Sequence, residues 1–184
     1  MNLNPYLRSI TEWRLGLKKS KIKLKVNDKI VHITYGAGIV IGCSIKKLGG
    51  TKQVFYEIKT DEQIYWLPIT NSHPDQIRHV RAPSTFRNAL SIIRKKPKKL
   101  SNDFGLRIKH INDELVKFSL VTKAKLIRDM QARNLEKSLH VYERQTLKKL
   151  KTQFINEWSI SANISKAEAE EKLNYALLES IRRI

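Results

Sequence analysis

The chain has almost no cysteine and little acid. One cysteine, Cys43, stands among 184 residues, which excludes an internal disulfide and a cysteine-based zinc site. It lies in the apolar stretch "AGIVIGC" with no histidine near it in sequence, so a small buried hydrophobe is expected there, not a nucleophile. The five histidines, at 32, 73, 79, 110 and 140, form no H-x-x-x-H pair and no cluster with carboxylates, and are expected at the surface. Glycine is limited to seven residues. Two of them fall in "YGAGIV", but no helix follows to offer its N-terminus to a phosphate, so a tight turn between strands is expected. With no G-x-S-x-G elbow either, the expectation is a protein that is not an enzyme, with no cofactor, no metal and no small-molecule substrate. No apolar run approaches the about 20 residues of a membrane-spanning helix. The N-terminus "MNLNPYLRSITEW" lacks the apolar core of a signal peptide, so the expected place of work is the cytoplasm.

What is present is positive charge. Thirty-six Lys and Arg against seventeen Asp and Glu give +19, a field that draws polyanions, and nucleic acid is the leading partner class. A solubility surface is the plain alternative. An anionic membrane fits less well, because the basic residues are spread through segments with a folded pattern and do not gather on one tail or one amphipathic helix. A hydrophobic fraction of 41% argues for globular structure despite 29% charged residues.

The hydrophobic pattern divides the chain. Residues 25–80 read as strands: "KIVHIT", "AGIVIGC", "QVFYEIK" and "QIYWLP" are short, rich in β-branched and aromatic residues, and separated by turn signals that include Gly49-Gly50. Such strands close most easily into a small antiparallel barrel. "SHPDQI" reads as a connector with one helical turn at most. Residues 81–184 switch to helical spacing and predict about five helices. "TFRNALSIIRKK" aligns Phe86, Leu90 and Ile93. "LRIKHINDELVKF", in a helix expected to begin near Ser101, aligns Leu106, Ile108, Ile111, Leu115 and Phe118. "VTKAKLIRDMQAR" and "VYERQTLKKLKTQFINEWSISA" follow, and a capping box at Ser165 and Glu168 starts the last helix. The fold class is α+β. Residues 1–24 form a separate leader: Asn4 and Pro5 can start an amphipathic helix carrying Leu7, Ile10, Trp13 and Leu17, either packed on the body or offered to a partner.

These stretches resemble, in order, the CarD/CdnL family of bacterial transcription regulators, whose barrel is shared with the transcription-repair coupling factor. "KVNDKIVHITYGAGIV" is similar to the family opening K-V-G-D-x-V-V-Y-P-x-H-G-x-G-x-V, with Val26, Asp28, Val31, Gly36 and Gly38 in place. "IKKLGGTKQVFYEIK" resembles its second hairpin and "IYWLPI" its last barrel strand. "LIRDMQARNLEKSLHVYERQTLKKLK" is similar to a helical motif of the family in which Arg128, Asp129, Arg133, Leu139, Glu143, Arg144 and Leu147 coincide. The leader has no counterpart.

The resemblance implies a Tudor-like barrel that docks on the β subunit of RNA polymerase and a helical domain on promoter DNA, largely without sequence specificity. There a tryptophan in a motif like N-W-x-x-R-Y-K wedges into the minor groove and slows collapse of the open complex. In "NDFGLRIK", Phe104 takes the tryptophan's place. Gly105 would leave room for close approach, and Arg107 and Lys109 would hold phosphates. Lys148, Lys149 and Lys151 match a second basic patch on DNA. Lys46 matches a polymerase-contacting position, and Trp66 stands where many relatives have an arginine. Three plainer readings remain at this point. Phe104 and Trp66 are core residues, the lysines are a solvated helix face, and the whole is a nucleoid or RNA-binding protein acting by charge alone. A repair-coupling adaptor would need a helicase, and the chain has no Walker motif.

Overall fold

A computed structural model describes residues 22–71 and 75–184. Nearly all of the leader, including its expected helix, lies outside these residues, as does His73.

Five antiparallel strands, β1 (Lys29–His32), β2 (Gly36–Leu48), β3 (Thr51–Lys59), β4 (Ile64–Pro68) and β5 (Ile77–His79), form one sheet in the order β4-β3-β2-β1-β5. Ile30, Val40, Tyr56, Ile58, Tyr65, Leu67 and Ile77, drawn from all five strands, meet in a single cluster, so the sheet curls around one core like a barrel. Gly49 and Gly50 both have positive φ, the backbone that a tight β2–β3 hairpin requires. At Gly38 a Cβ would sit 2.8 Å from the Lys59 carbonyl oxygen, so β2 and β3 approach more closely there than any side chain allows. β5 was not expected. It has three residues and pairs with β1, too short a run to leave an alternation signal.

Two further expectations fail on the sheet. Cys43 is exposed, because β2 runs for thirteen residues and is buried only near its start, at Gly36 to Gly38 and Val40. The rest of the strand outruns the core. His32 is buried: Nδ1 accepts the amides of Thr34 (3.0 Å) and Tyr35 (3.3 Å), and the ring packs beside Tyr35 and Tyr65. It closes the turn that "YGAG" announced, and burial lowers its pKa. His79, His110 and His140 are exposed, as expected.

Helices α1 (Pro83–Ile93), α2 (Phe104–Leu115), α3 (Leu120–Glu136), α4 (Val141–Ala162) and α5 (Lys166–Ile181) follow. Phe86, Leu90 and Ile93 enter the second core with Ile111, Ile127, Met130, Phe154 and Trp158. The Phe86 ring stacks on Trp158 at 5.9 Å with an interplanar angle of 3°. α2 starts at Phe104, three residues later than Ser101, because the Asp103 side chain accepts the Leu106 amide at 2.8 Å and fixes the first turn. Ser165 caps α5 by accepting the Glu168 amide at 3.1 Å, while the Glu168 carboxylate takes Lys172.

The two halves are locked together through α4. Buried Glu157 accepts from both terminal nitrogens of Arg78 on β5, Nη1 and Nη2, at 2.5 and 2.8 Å, and from the Arg81 amide at 3.3 Å. Ser161 Oγ donates to the Arg81 carbonyl at 2.6 Å, and Lys29 Nζ to the Ile160 carbonyl at 2.8 Å. Removing either partner of such a buried, hydrogen-bonded pair would leave an uncompensated buried charge.

Candidate polymerase and nucleic-acid interfaces

On the barrel, strand register decides which side chains share the outer face. Trp66 lies opposite Glu57 and Glu57 opposite Gly42; Pro68, the buried Phe55 and Ser44 form the next row, and Gln53 and Lys46 the one beyond. Trp66 is 46% exposed and belongs to neither core cluster, so the core reading of this residue fails. Its indole Nε1 donates to Glu57 Oε1 at 3.2 Å, and Lys46 Nζ sits 3.1 Å from the ring centroid. The structure thus joins Lys46 and Trp66, which the sequence keeps twenty residues apart, into one cation–aromatic patch. Ile64 is exposed on the same face of β4.

Phe104 opens α2 and is also 46% exposed, outside both cores. The core reading therefore fails here too. Its ring packs edge-on against His140, the N-cap of α4, at 4.9 Å and 61°. Gly105 and Lys109 are exposed on the same helix. Leu106 is 63% exposed, contrary to its place in the expected apolar face; only Arg107 and Ile111 of α2 are buried. The expected stripe broke because the first turn of α2 turns Arg107 inward and leaves Phe104 and Leu106 in solvent.

Arg107 has a different job from the expected phosphate contact. It is 6% exposed, its Nε donates to Glu143 Oε1 at 2.5 Å, and its Nη1 reaches the carbonyls of Ser101, Asn102 and Asp103 at 2.8, 3.1 and 3.2 Å. Its donors face inward, so it holds the loop that presents Phe104. Glu143, fully buried, also accepts the His140 amide at 2.9 Å. Burial works to raise the Glu143 pKa, but the hydrogen bonds from Arg107 and His140 and the charge of Arg107 outweigh it and hold the carboxyl below its ordinary range. One carboxylate thereby ties the base of the Phe104 loop to the start of α4.

The second basic patch separates. Lys148 and Lys149 are exposed and line the side of α4 that faces the barrel turns at Tyr35 and Asp61. Lys151 turns the other way, is half-buried, and donates to Gln131 Oε1 on α3 at 2.7 Å; burial lowers its pKa. The remaining motif residues build the scaffold. Leu139 and Leu147 are core, and Arg128 pairs with Asp129 while Asp129 accepts the Lys98 amide at 2.8 Å. That bond pins the connector whose Lys95, Lys96, Lys98 and Lys99 are exposed. Three features near Phe104 escaped sequence reasoning: exposed Leu106, the exposed connector lysines, and the bond of Glu143 to Arg107. Only Glu143 left a usable signal, a carboxylate three residues after an N-cap.

Among the described residues no group of His, Cys, Asp or Glu could hold a metal ion, and no helix is long and apolar enough to cross a membrane. Residues 24–81 match the CarD-like/TRCF RID domain, and residues 88–174 match CarD, C-terminal domain. No curated protein matches the chain. Two consecutive matches to the same family, one to each half of the fold, cover most of the molecule, and the chain belongs to the CarD/CdnL family of RNA polymerase-interacting, non-enzymatic transcription regulators.

Proposed function

We propose that the barrel docks on the polymerase β subunit through the Lys46–Trp66 patch while the helical domain meets promoter DNA at the edge of the open bubble, with Phe104 as an apolar wedge. The observation that carries this reading is the half-exposed Phe104 ring standing on a loop clamped from below by the buried Arg107–Glu143 pair. Apolar wedges act by occupying a base step that is already unstacking, and phenylalanine serves as well as other large apolar side chains. Exposed Lys109 and the connector lysines are suited to adjacent phosphates, whereas Arg107 positions the loop. The α4 helix links the two activities. Glu143 near its start holds the Phe104 loop and Glu157 near its end holds the barrel, about 21 Å apart at the rise of an α-helix. The protein would then work in the cytoplasm, at the nucleoid, wherever polymerase carries it.

The test is the lifetime of open complexes formed with the protein. Phe104→Ala is expected to shorten it by about 1 to 3 kcal/mol of stacking, with polymerase affinity and melting temperature kept, and Phe104→Trp to hold or lengthen it. An unchanged lifetime with Phe104→Ala would overturn the wedge. The competing reading, a nucleoid or RNA-binding protein acting by charge, has the +19 balance in its favour. It predicts release from polymerase in nuclease-treated lysate, where the docking reading predicts retention.

A further inference from the structure

Between the barrel and the helices lies a cleft of about 460 Å³ whose lining shares only Lys149 with the two candidate interfaces. Its apolar walls include Val31, Ile33, Val116, Phe118, Leu126 and Leu150, and its volume falls in the range of pockets for small organic molecules. We propose that this cleft binds a small organic anion with an apolar body, its charged head against Lys123 and Lys149.

The charges in the cleft cancel except for those two. Arg78 is neutralised by Glu157, and Glu114 by Lys117. Among the described residues Lys123 of α3 reaches only the neutral Gln153 Oε1, at 3.1 Å, which leaves two ammonium donors. Burial pulls its pKa down to about 8; the Glu157 carboxylate works to raise it, and Arg78 and Lys149 to lower it further. An ammonium desolvated to that degree without a carboxylate in contact gains most from an anionic partner. The groups facing it are His32 of β1, Arg78 of β5, Glu114 of α2, and Tyr142, Lys149 and Glu157 of α4. His32 accepts two amides and its pKa is lowered, so it stays neutral at and above pH 7.

Phe118 adds a second observation. It sits in the turn between α2 and α3 at φ 46, a left-handed backbone that a phenylalanine rarely adopts, and its ring lies 5.0 Å from the Arg78 guanidinium at the cleft wall. Backbone strain of this kind gathers where a binding wall needs a particular side chain in place. Because barrel and helices both line the cleft, an occupant would bridge the two halves.

Octanoate is a suitable probe: its carboxylate stays ionised from pH 7 to 9, so any pH dependence in that range comes from the protein. Titrated calorimetrically into the full-length protein, it is expected to fill one site and to bind several-fold more weakly at pH 9, where only about a tenth of a group with a pKa near 8 is charged. Lys123→Met is expected to weaken binding by about tenfold or more while keeping the melting temperature, since an apolar isostere replaces a desolvated charge. Lys123→Arg should retain binding and lose the pH dependence, and Lys172→Ala, on α5 and outside the cleft lining, should change nothing. Octan-1-ol, with the same body and no charge, should bind more weakly at both pH values. No saturable site, equal binding by Lys123→Met, or an unchanged pH dependence in Lys123→Arg would each overturn the proposal; equal binding by Lys123→Met would place octanoate elsewhere on the basic surface.

Discussion

Trp66 on the barrel and Phe104 on the helical domain are exposed to the same extent, 46%, and each has a cation beside its ring, yet the two sites are built in opposite ways. At Trp66 the cation lies outside: Lys46 rests on the ring, half-exposed on a strand that has outrun its core. At Phe104 the cation is inside: the Arg107 guanidinium lies 5.6 Å from the ring, buried, with its nitrogens spent on Glu143 and three carbonyls. A half-exposed lysine resting on a ring can leave the indole at little cost and re-form on a partner, so the Trp66 patch is adaptable. A buried arginine cannot leave its carboxylate, so the Phe104 loop is presented in one arrangement. Adaptable contact suits docking on a protein surface, and a fixed ring suits insertion between bases, where orientation decides whether the ring enters at all.

The strongest way to break this contrast is Glu143→Ala, which leaves the Arg107 charge buried and unpaired. A loss of about 3 to 5 kcal/mol is expected, read as a large fall in melting temperature, whereas Glu143→Gln should lose less. Acid makes the same point. The folded pKa of Glu143 is held below the ordinary glutamate value of about 4.3, so its contribution is present above that pH and is lost as pH falls through the folded value. Wild-type protein should therefore lose more stability below about pH 4 than Glu143→Gln does; equal acid profiles would count against the clamp.

Trp66→Ala should act the other way, costing polymerase affinity about 2 kcal/mol, as anchoring aromatic residues do, and leaving the melting temperature nearly unchanged. Binding to immobilised core polymerase alongside thermal denaturation would separate the two. A destabilised fold with normal affinity would mean that Trp66 is structural after all.

The smallest effect is expected at Lys109, exposed on the Phe104 helix. Lys109→Ala should weaken duplex binding across sequences and lower the slope of log affinity against log salt by about one unit. Arg107→Ala, whose charge faces inward, should instead lower stability. If Lys109→Ala leaves the slope alone while Arg107→Ala reduces it, the assignment of the two roles is reversed.

Where burial follows from local periodicity, sequence reading and structure agree. Phe86, Leu90 and Ile93 repeat at helical spacing and are core, and α4 has the expected bounds. Gly49-Gly50 makes the expected hairpin, since only its positive φ angles were needed to infer it. Where burial depends on what lies across space, the agreement ends. Cys43 has the apolar neighbours of a buried residue but sits past the end of the core, and Leu106 has helical spacing but faces solvent. Arg107 departs from its expected role for the same reason: nothing local in the sequence indicates a carboxylate thirty-six positions away.

By itself the sequence determined the division into a strand half and a helical half, the net charge of +19 and the motif pattern of the family, because composition, short-range periodicity and turn chemistry are local properties. Only the tertiary structure decided which aromatic rings stand in solvent, which arginines are clamps, and that two buried glutamates on α4 tie the barrel to the Phe104 loop. Those outcomes turn on desolvation and pairing across 36 and 79 residues of chain, and a charge has no fixed role until the fold has chosen its partner.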